Sequence, residues 1–239
     1  MSDIHRLCRW ISLYKGYGMI NLDKRLAMVA SMVRRGSRVA DIGTDHAYLP
    51  VYLVQSGACL GGIAADIRSG PLEAARRTVT EAGLIDVITL RLGDGLAPVE
   101  ADEVDDIVIA GMGGETIVEI LSAADWVKDA RLRLVLQPMT RAEELRRWLL
   151  TNGFGIQEER LVQDGHRLYP VMAAAYTAAE PETDEYVFYA GFFAAEEGRP
   201  YREMMAEHLL RRAAGLHHAG DEVGTARLVA IADRLRQAD

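Results

Sequence analysis

Between residues 38 and 138 short apolar runs alternate with stretches of helical periodicity, and several of the apolar runs end in glycine or aspartate. That alternation predicts a parallel sheet with crossover helices. The predicted strands are Arg38–Gly43, Leu60–Asp66, Ile88–Asp94, Val104–Ala110 and Leu132–Gln137, the last stopped by Pro138. Leu22, Leu26, Val29 and Val33 predict a helix before the first strand, closed by Gly36. Further helices are expected from Ala47 to Gly57, from Pro71 to Gly83 and from Gly113-Gly114 onward. Thr140 and Glu143 have capping-box spacing, which predicts a helix reaching Gly153. Then the period changes. Phe154–Val162 and Arg167–Tyr176 flank Asp164-Gly165 and predict an antiparallel hairpin. The expected fold class is therefore α/β, a Rossmann-like, doubly wound mixed sheet.

Beyond Glu180-Pro181 the strand signals stop. Residues 199–218 and 221–237 predict a helical hairpin broken at Gly220, with Leu209 and Leu216 on one stripe and Leu228, Ile231 and Leu235 on the other. The expected organisation is an extension over 1–18, a main domain over 19–180 and a helical domain over 181–239.

A length of 239 residues suits one domain plus an appendage, and 49% hydrophobic residues can build its core. No apolar run approaches the roughly 18 residues of a membrane span, and Asp3, His5, Arg6, Arg9 and Lys15 break up any signal-peptide core. Cys8 and Cys59 form no CxxC, so neither a disulfide scaffold nor a metal site is expected, and the cytoplasm is the expected compartment. The net charge of −8 is unevenly spread: +6 over residues 1–38, −10 over 39–180 and −4 over 181–239. An acidic body with a basic leading segment can still present a local phosphate-facing patch, although a solvated helix has the same charge pattern.

The chemistry-bearing residues fall at the predicted strand ends. Asp41-Ile-Gly43-Thr-Asp45-His46-Ala-Tyr48 follows strand one. The dinucleotide fingerprint G-x-G-x-x-G is absent, because Asp45 stands at its second glycine and would repel a pyrophosphate. An acidic turn suits a cationic ligand with an adenosine part, such as S-adenosylmethionine; a glycine turn with no ligand looks the same. Asp66 lies 23 residues beyond Gly43, where a carboxylate can accept from both ribose hydroxyls or simply cap a helix. Asp94, between Gly93 and Gly95, could accept from an adenine amino group or only shape a turn. Gly111, Met112, Gly113 and Gly114 leave bare backbone after strand four, where two ligands could meet. Gln137 could present its amide to the same crevice. Asp105 and Asp106 precede strand four and are expected to be solvated.

Taken together, Ala40–Pro50, Asp66–Pro71, Gly93–Leu96, Ile109–Gly114 and Val135–Met139 resemble the bacterial tRNA (adenine-22-N1)-methyltransferases. The resemblance covers roughly residues 20–239. It implies a class I S-adenosylmethionine-dependent methyltransferase fold, a coiled-coil-like C-terminal domain, and methyl transfer to N1 of an adenine in the D-arm region of tRNA. By motif match it implies a cofactor pocket, or its mouth, at Asp41, Gly43, Asp45, His46, Tyr48, Asp66, Ile67, Asp94, Gly95 and the Gly111–Gly114 loop. Family-like sequence begins near Met19, so residues 1–18 are expected to be a start-site artefact. Lys15-Gly16 is what a translated ribosome-binding site would encode, and without the extension the leading charge falls to +4.

Methyl transfer from a sulfonium to a ring nitrogen rests mainly on positioning and electrostatics. Asp45 is the expected contact to the adenine amine or to the developing charge, with Asp94 in reserve, and Tyr48 or Met112 could pack on the base. Lys24, Arg25, Arg34 and Arg35, joined by Arg211 and Arg212, are the expected tRNA contacts. A monomer is the simplest assembly. Two other readings remain open from the residues: a methyltransferase for a small molecule, and a non-catalytic cofactor-binding module whose helical hairpin docks a protein.

Overall fold

The computed structural model describes residues 18–237, so nearly all of the expected N-terminal extension lies outside the described residues. Helix α1 (Lys24–Met32) leads into strand β1 (Arg38–Ile42). Then follow α2 (Tyr48–Gln55), β2 (Gly61–Asp66), α3 (Ser69–Glu81), β3 (Ile88–Leu92), β4 (Asp106–Gly113), α4 (Gly114–Ser122), β5 (Arg133–Thr140) and α5 (Ala142–Thr151). The hairpin β6 (Phe154–Asp164) and β7 (Arg167–Tyr176) precedes three helices, α6 (Glu185–Ala190), α7 (Ala195–His218) and α8 (Glu222–Gln237).

The strand order is β3-β2-β1-β4-β5-β7-β6. The first five run parallel, and β7 and β6 close the sheet antiparallel. Alternating residues feed two apolar layers, as a sheet covered on both faces requires. Ala40, Ile42, Ile107, Ile109, Leu134 and Leu136 pack with Ile117, Leu121, Leu145 and Leu149 of α4 and α5. Val39, Val108 and Val135 face the other way, against Val29, Met32, Leu49 and Leu53 of α1 and α2. The C-terminal helices build their own cluster around Leu209, Leu228, Ile231 and Leu235, which Leu161 of β6 joins.

Four local expectations are corrected. Strand β5 runs through Pro138 to Thr140, because the β4–β5 ladder is bulged there and asks no N–H of the proline. The capping box does not form: Arg141 is the N-cap, in the left-handed conformation and without a side-chain cap. Helix α6 has no counterpart in the sequence reading; its six residues carry too little periodicity, although Asp184 caps it. Asp106 is fully buried rather than solvated.

Candidate active site

The sheet reverses its winding between β1 and β4, and the crevice opens at the carboxyl ends of the strands beside that point. It measures about 1010 Å³ and is lined by residues following β1, β2, β3 and β4. At the end of β1, Gly43 holds φ +74°, and a Cβ there would collide with the methyl of Met112. Glycine thus lets the backbone turn beneath the Met112 side chain. Asp45 and Ala47 follow with φ of 52° and 57°. These left-handed turns carry Asp45 and His46 outward, where both are exposed and sit 3.6 Å apart. The His46 and Tyr48 rings stack 5.2 Å apart at 9°.

Beneath this exposed pair lie two buried carboxylates. Asp41 accepts a 2.6 Å hydrogen bond from the Thr44 hydroxyl. Burial pushes its pKa up to about 6; Thr44 opposes the shift, and the neighbouring Asp66 adds to it. Asp66, the last residue of β2, is also buried and accepts from the Arg68 amide at 2.9 Å. Ile67, Asp94 and Gly95 line the wall beyond Asp66. On the far side, Gly111 and Met112 close the crevice, while Gly113 caps α4.

Residues 22–172 match the family model for a methyltransferase domain. Over 155 residues the chain is 40% identical to the tRNA (adenine(22)-N(1))-methyltransferase of Bacillus subtilis strain 168, covering 65% of this chain and 65% of that protein. The crystal structure of the B. subtilis M1A22 tRNA methyltransferase TrmK superposes with a TM-score of 0.81 at 30% identity, covering 91% of this chain and 99% of that one. This chain belongs to the tRNA (adenine-22-N1)-methyltransferase family. The structure of M. capricolum TrmK in complex with S-adenosyl-homocysteine also matches, with a TM-score of 0.77, 27% identity and 91% of this chain covered.

The methyltransferase distributes its basic residues differently from the sequence expectation. Lys24 and Arg35 are exposed. Arg34 lies at the opposite, amino-terminal edge of the sheet and is committed to Asp106. Its Nε reaches Oδ1 at 2.6 Å, its amide reaches Oδ2 at 2.7 Å, and it also donates to the Asp105 and Arg131 carbonyls. Arg25 points inward instead. It lines the crevice, donates to Gln137 at 2.9 Å and approaches Asp23 at 3.6 Å. Gln137 is fully buried, so its amide does not face the crevice.

On α7, Arg211 and Arg212 are exposed, and Arg211 approaches Glu207 at 3.8 Å. Burial lowers the pKa of the nearby His208; Arg212, Arg211 and Arg141 push the same way, and Glu143 opposes them. Arg141, at the end of β5 and 4.0 Å from Glu115, thus acts on the same histidine. Sequence reasoning missed it, because a single arginine after a strand carries no signal of its own.

Proposed function

We propose that this protein transfers a methyl group from S-adenosylmethionine to N1 of adenine 22 in tRNA, acting as a monomer in the cytoplasm. The observation that carries this reading is the pairing of the acidic crevice with a structural match to a member of the family that covers 91% of the chain. The residues fit the cofactor. Gly43 lets the backbone turn beneath Met112 at the crevice wall, Asp66 offers a buried acceptor for ribose hydroxyls, and Ile67 with Leu96 supplies apolar surface for a purine. Asp41, Asp45 and Asp94 set a negative potential that suits a cation.

When bound, the cofactor supplies a methyl group already activated on a positively charged sulfur. N1 of adenine has a free lone pair, so no proton must leave before attack and no acid–base dyad is required. The chain's task is in-line positioning and a field that favours a base becoming cationic. Asp45, exposed at the mouth, is placed to meet the exocyclic amine or the new charge, with Asp94 as second candidate. N1 lies on the pairing edge, so the base enters unpaired, and Tyr48 or Met112 gives it a surface to pack on. Residues 19–180 would form the catalytic domain. Residues 181–239 would present Arg211 and Arg212 to tRNA phosphates; Lys24 and Arg35 extend the contact.

The test is methyl-labelled cofactor offered with tRNA transcripts carrying A22 or G22, with RNA-free extract, and with buffer. Label on A22 transcripts alone, with reverse transcription stopping at that position, is the expected result. Label in the RNA-free extract would mark a small-molecule enzyme, and binding without transfer a non-catalytic module. Asp45→Ala should lower kcat by more than it lowers cofactor affinity; wild-type turnover in that variant removes Asp45 from the reaction.

A further inference from the structure

Strand β4 leaves its ladder at a single residue. Ala110 pairs with Gln137, Met112 with Pro138 and Gly113 with Thr140, and Gly111 is skipped by the bulge. Gly111 adopts φ +80°, a left-handed conformation that only glycine takes without strain. Its N–H, deprived of a strand partner, donates instead to Gln137 Oε1 at 3.1 Å. The same oxygen accepts from Arg25 Nη1 at 2.9 Å. Gln137 Nε2 donates to the Pro138 carbonyl at 2.9 Å and approaches the Met139 sulfur at 3.5 Å. Both lone pairs of the carboxamide oxygen are thus spent, and its nitrogen serves the strand that carries it. Gln137 has no capacity left for a substrate. The Arg25 guanidinium also lies close to Gly111: a Cβ on Gly111 would sit 3.3 Å from Nη1.

We propose that Gln137 and Arg25 are positioning residues for methyl transfer. They pin the bulged Gly111 segment that forms one wall of the crevice, and Arg25 makes that pin depend on the seating of helix α1. This rests on the methyltransferase reading above. Bulges re-aim backbone beside active sites, and this one replaces a ladder bond with a side-chain bond that a mutation can remove. A wall that wanders by an ångström costs far more in turnover than in ground-state binding.

The experiment compares wild type, Gln137→Leu, Gln137→Glu and Arg25→Gln, each checked for an unchanged melting transition. Gln137→Glu keeps an acceptor for both Gly111 and Arg25. Readouts are kcat and KM with an A22 transcript, cofactor affinity by calorimetry, and amide exchange over residues 110–114. The expected result for Gln137→Leu and Arg25→Gln is a kcat lowered tenfold or more. KM for tRNA and cofactor affinity should stay within threefold, and exchange of the Gly111 amide should be faster. Gln137→Glu keeps the shared acceptor but sets a carboxylate oxygen against the Pro138 carbonyl, so it should restore only part of kcat. A raised KM for tRNA at unchanged kcat would make Arg25 a phosphate contact and overturn the proposal, as would exchange and kcat both at wild-type level. Should the wild-type protein leave A22 unmethylated, the function proposed above fails, and exchange alone then decides whether the pair holds the loop: unchanged exchange rejects it.

Discussion

The guanidinium of Arg146 on α5 meets the carboxylate of Glu159 on β6 at 2.7 Å, and neither side chain has any exposed surface. Arg146 also donates to the Phe188 carbonyl at 2.8 Å and the Tyr201 hydroxyl at 3.0 Å, while Glu159 accepts from the Phe192 amide at 2.7 Å. One ion pair therefore ties the last helix of the main sheet to α6, α7 and the turn between them. Its charges hold each other: the Arg146 pKa is raised despite burial, which works against the charged form. Removing one partner strands a buried charge, which costs about 3–5 kcal/mol. Arg146→Met and Glu159→Gln should each show that loss in urea unfolding. A change below about 1 kcal/mol would mean that the apolar cluster around Leu209 docks the C-terminal helices unaided.

Asp41 gives stability a pH dependence of unusual sign for a carboxylate. Its folded pKa is raised from 3.8 to about 6. The folded state then holds the proton more tightly than the unfolded chain, so stability falls as pH rises from about 4 to 6 and the penalty persists above that. Two units correspond to about 3 kcal/mol. Without cofactor, Asp41→Asn should melt several degrees above wild type at pH 8, and the two should converge near pH 4. Parallel melting curves across that range would show that Asp41 is relieved by solvent.

Asp66 is the buried acceptor at the end of β2, with the Arg68 amide as its local partner. A hydrogen bond to a charged group is worth about 1.5–3 kcal/mol, so Asp66→Asn should weaken cofactor binding by roughly ten- to a hundredfold in calorimetry. The same variant should fold normally. Unchanged affinity would reassign Asp66 to capping the turn at Arg68.

The sheet was legible because each parallel strand is a short apolar run bounded by glycine or aspartate, and the same boundaries mark the crevice: Gly43, Asp66 and Asp94 lie at or just beyond strand ends, whereas Gly111, expected after strand four, sits at the bulge inside β4. What escaped the sequence was pairing between residues far apart in the chain. Arg34 and Asp106 are 72 positions apart, and Arg25 and Gln137 are 112 apart. Residue type alone sent both arginines to tRNA, Asp106 to solvent and the Gln137 amide to the crevice. The Thr140–Glu143 spacing failed for a related reason: Thr140 remains in β5, paired with Gly113, so it is not free to cap α5.

The two arginine groups expected to bind tRNA should now separate under mutation. Arg34→Ala leaves the buried Asp106 carboxylate without its guanidinium. The cost should be about 2 kcal/mol of stability, less than in a fully buried pair because Arg34 keeps contact with water. Its effect on tRNA affinity, measured well below the melting transition, should be under twofold. Arg211→Glu with Arg212→Glu on exposed α7 should do the reverse. Stability should hold, cofactor affinity should hold, and the slope of log tRNA affinity against log salt should shrink by about 2, one unit for each phosphate that is no longer neutralised. Filter binding across a salt series checks it: an unchanged slope in the double variant would move the tRNA-binding surface off α7, and a reduced slope in Arg34→Ala would put it at the amino-terminal edge of the sheet.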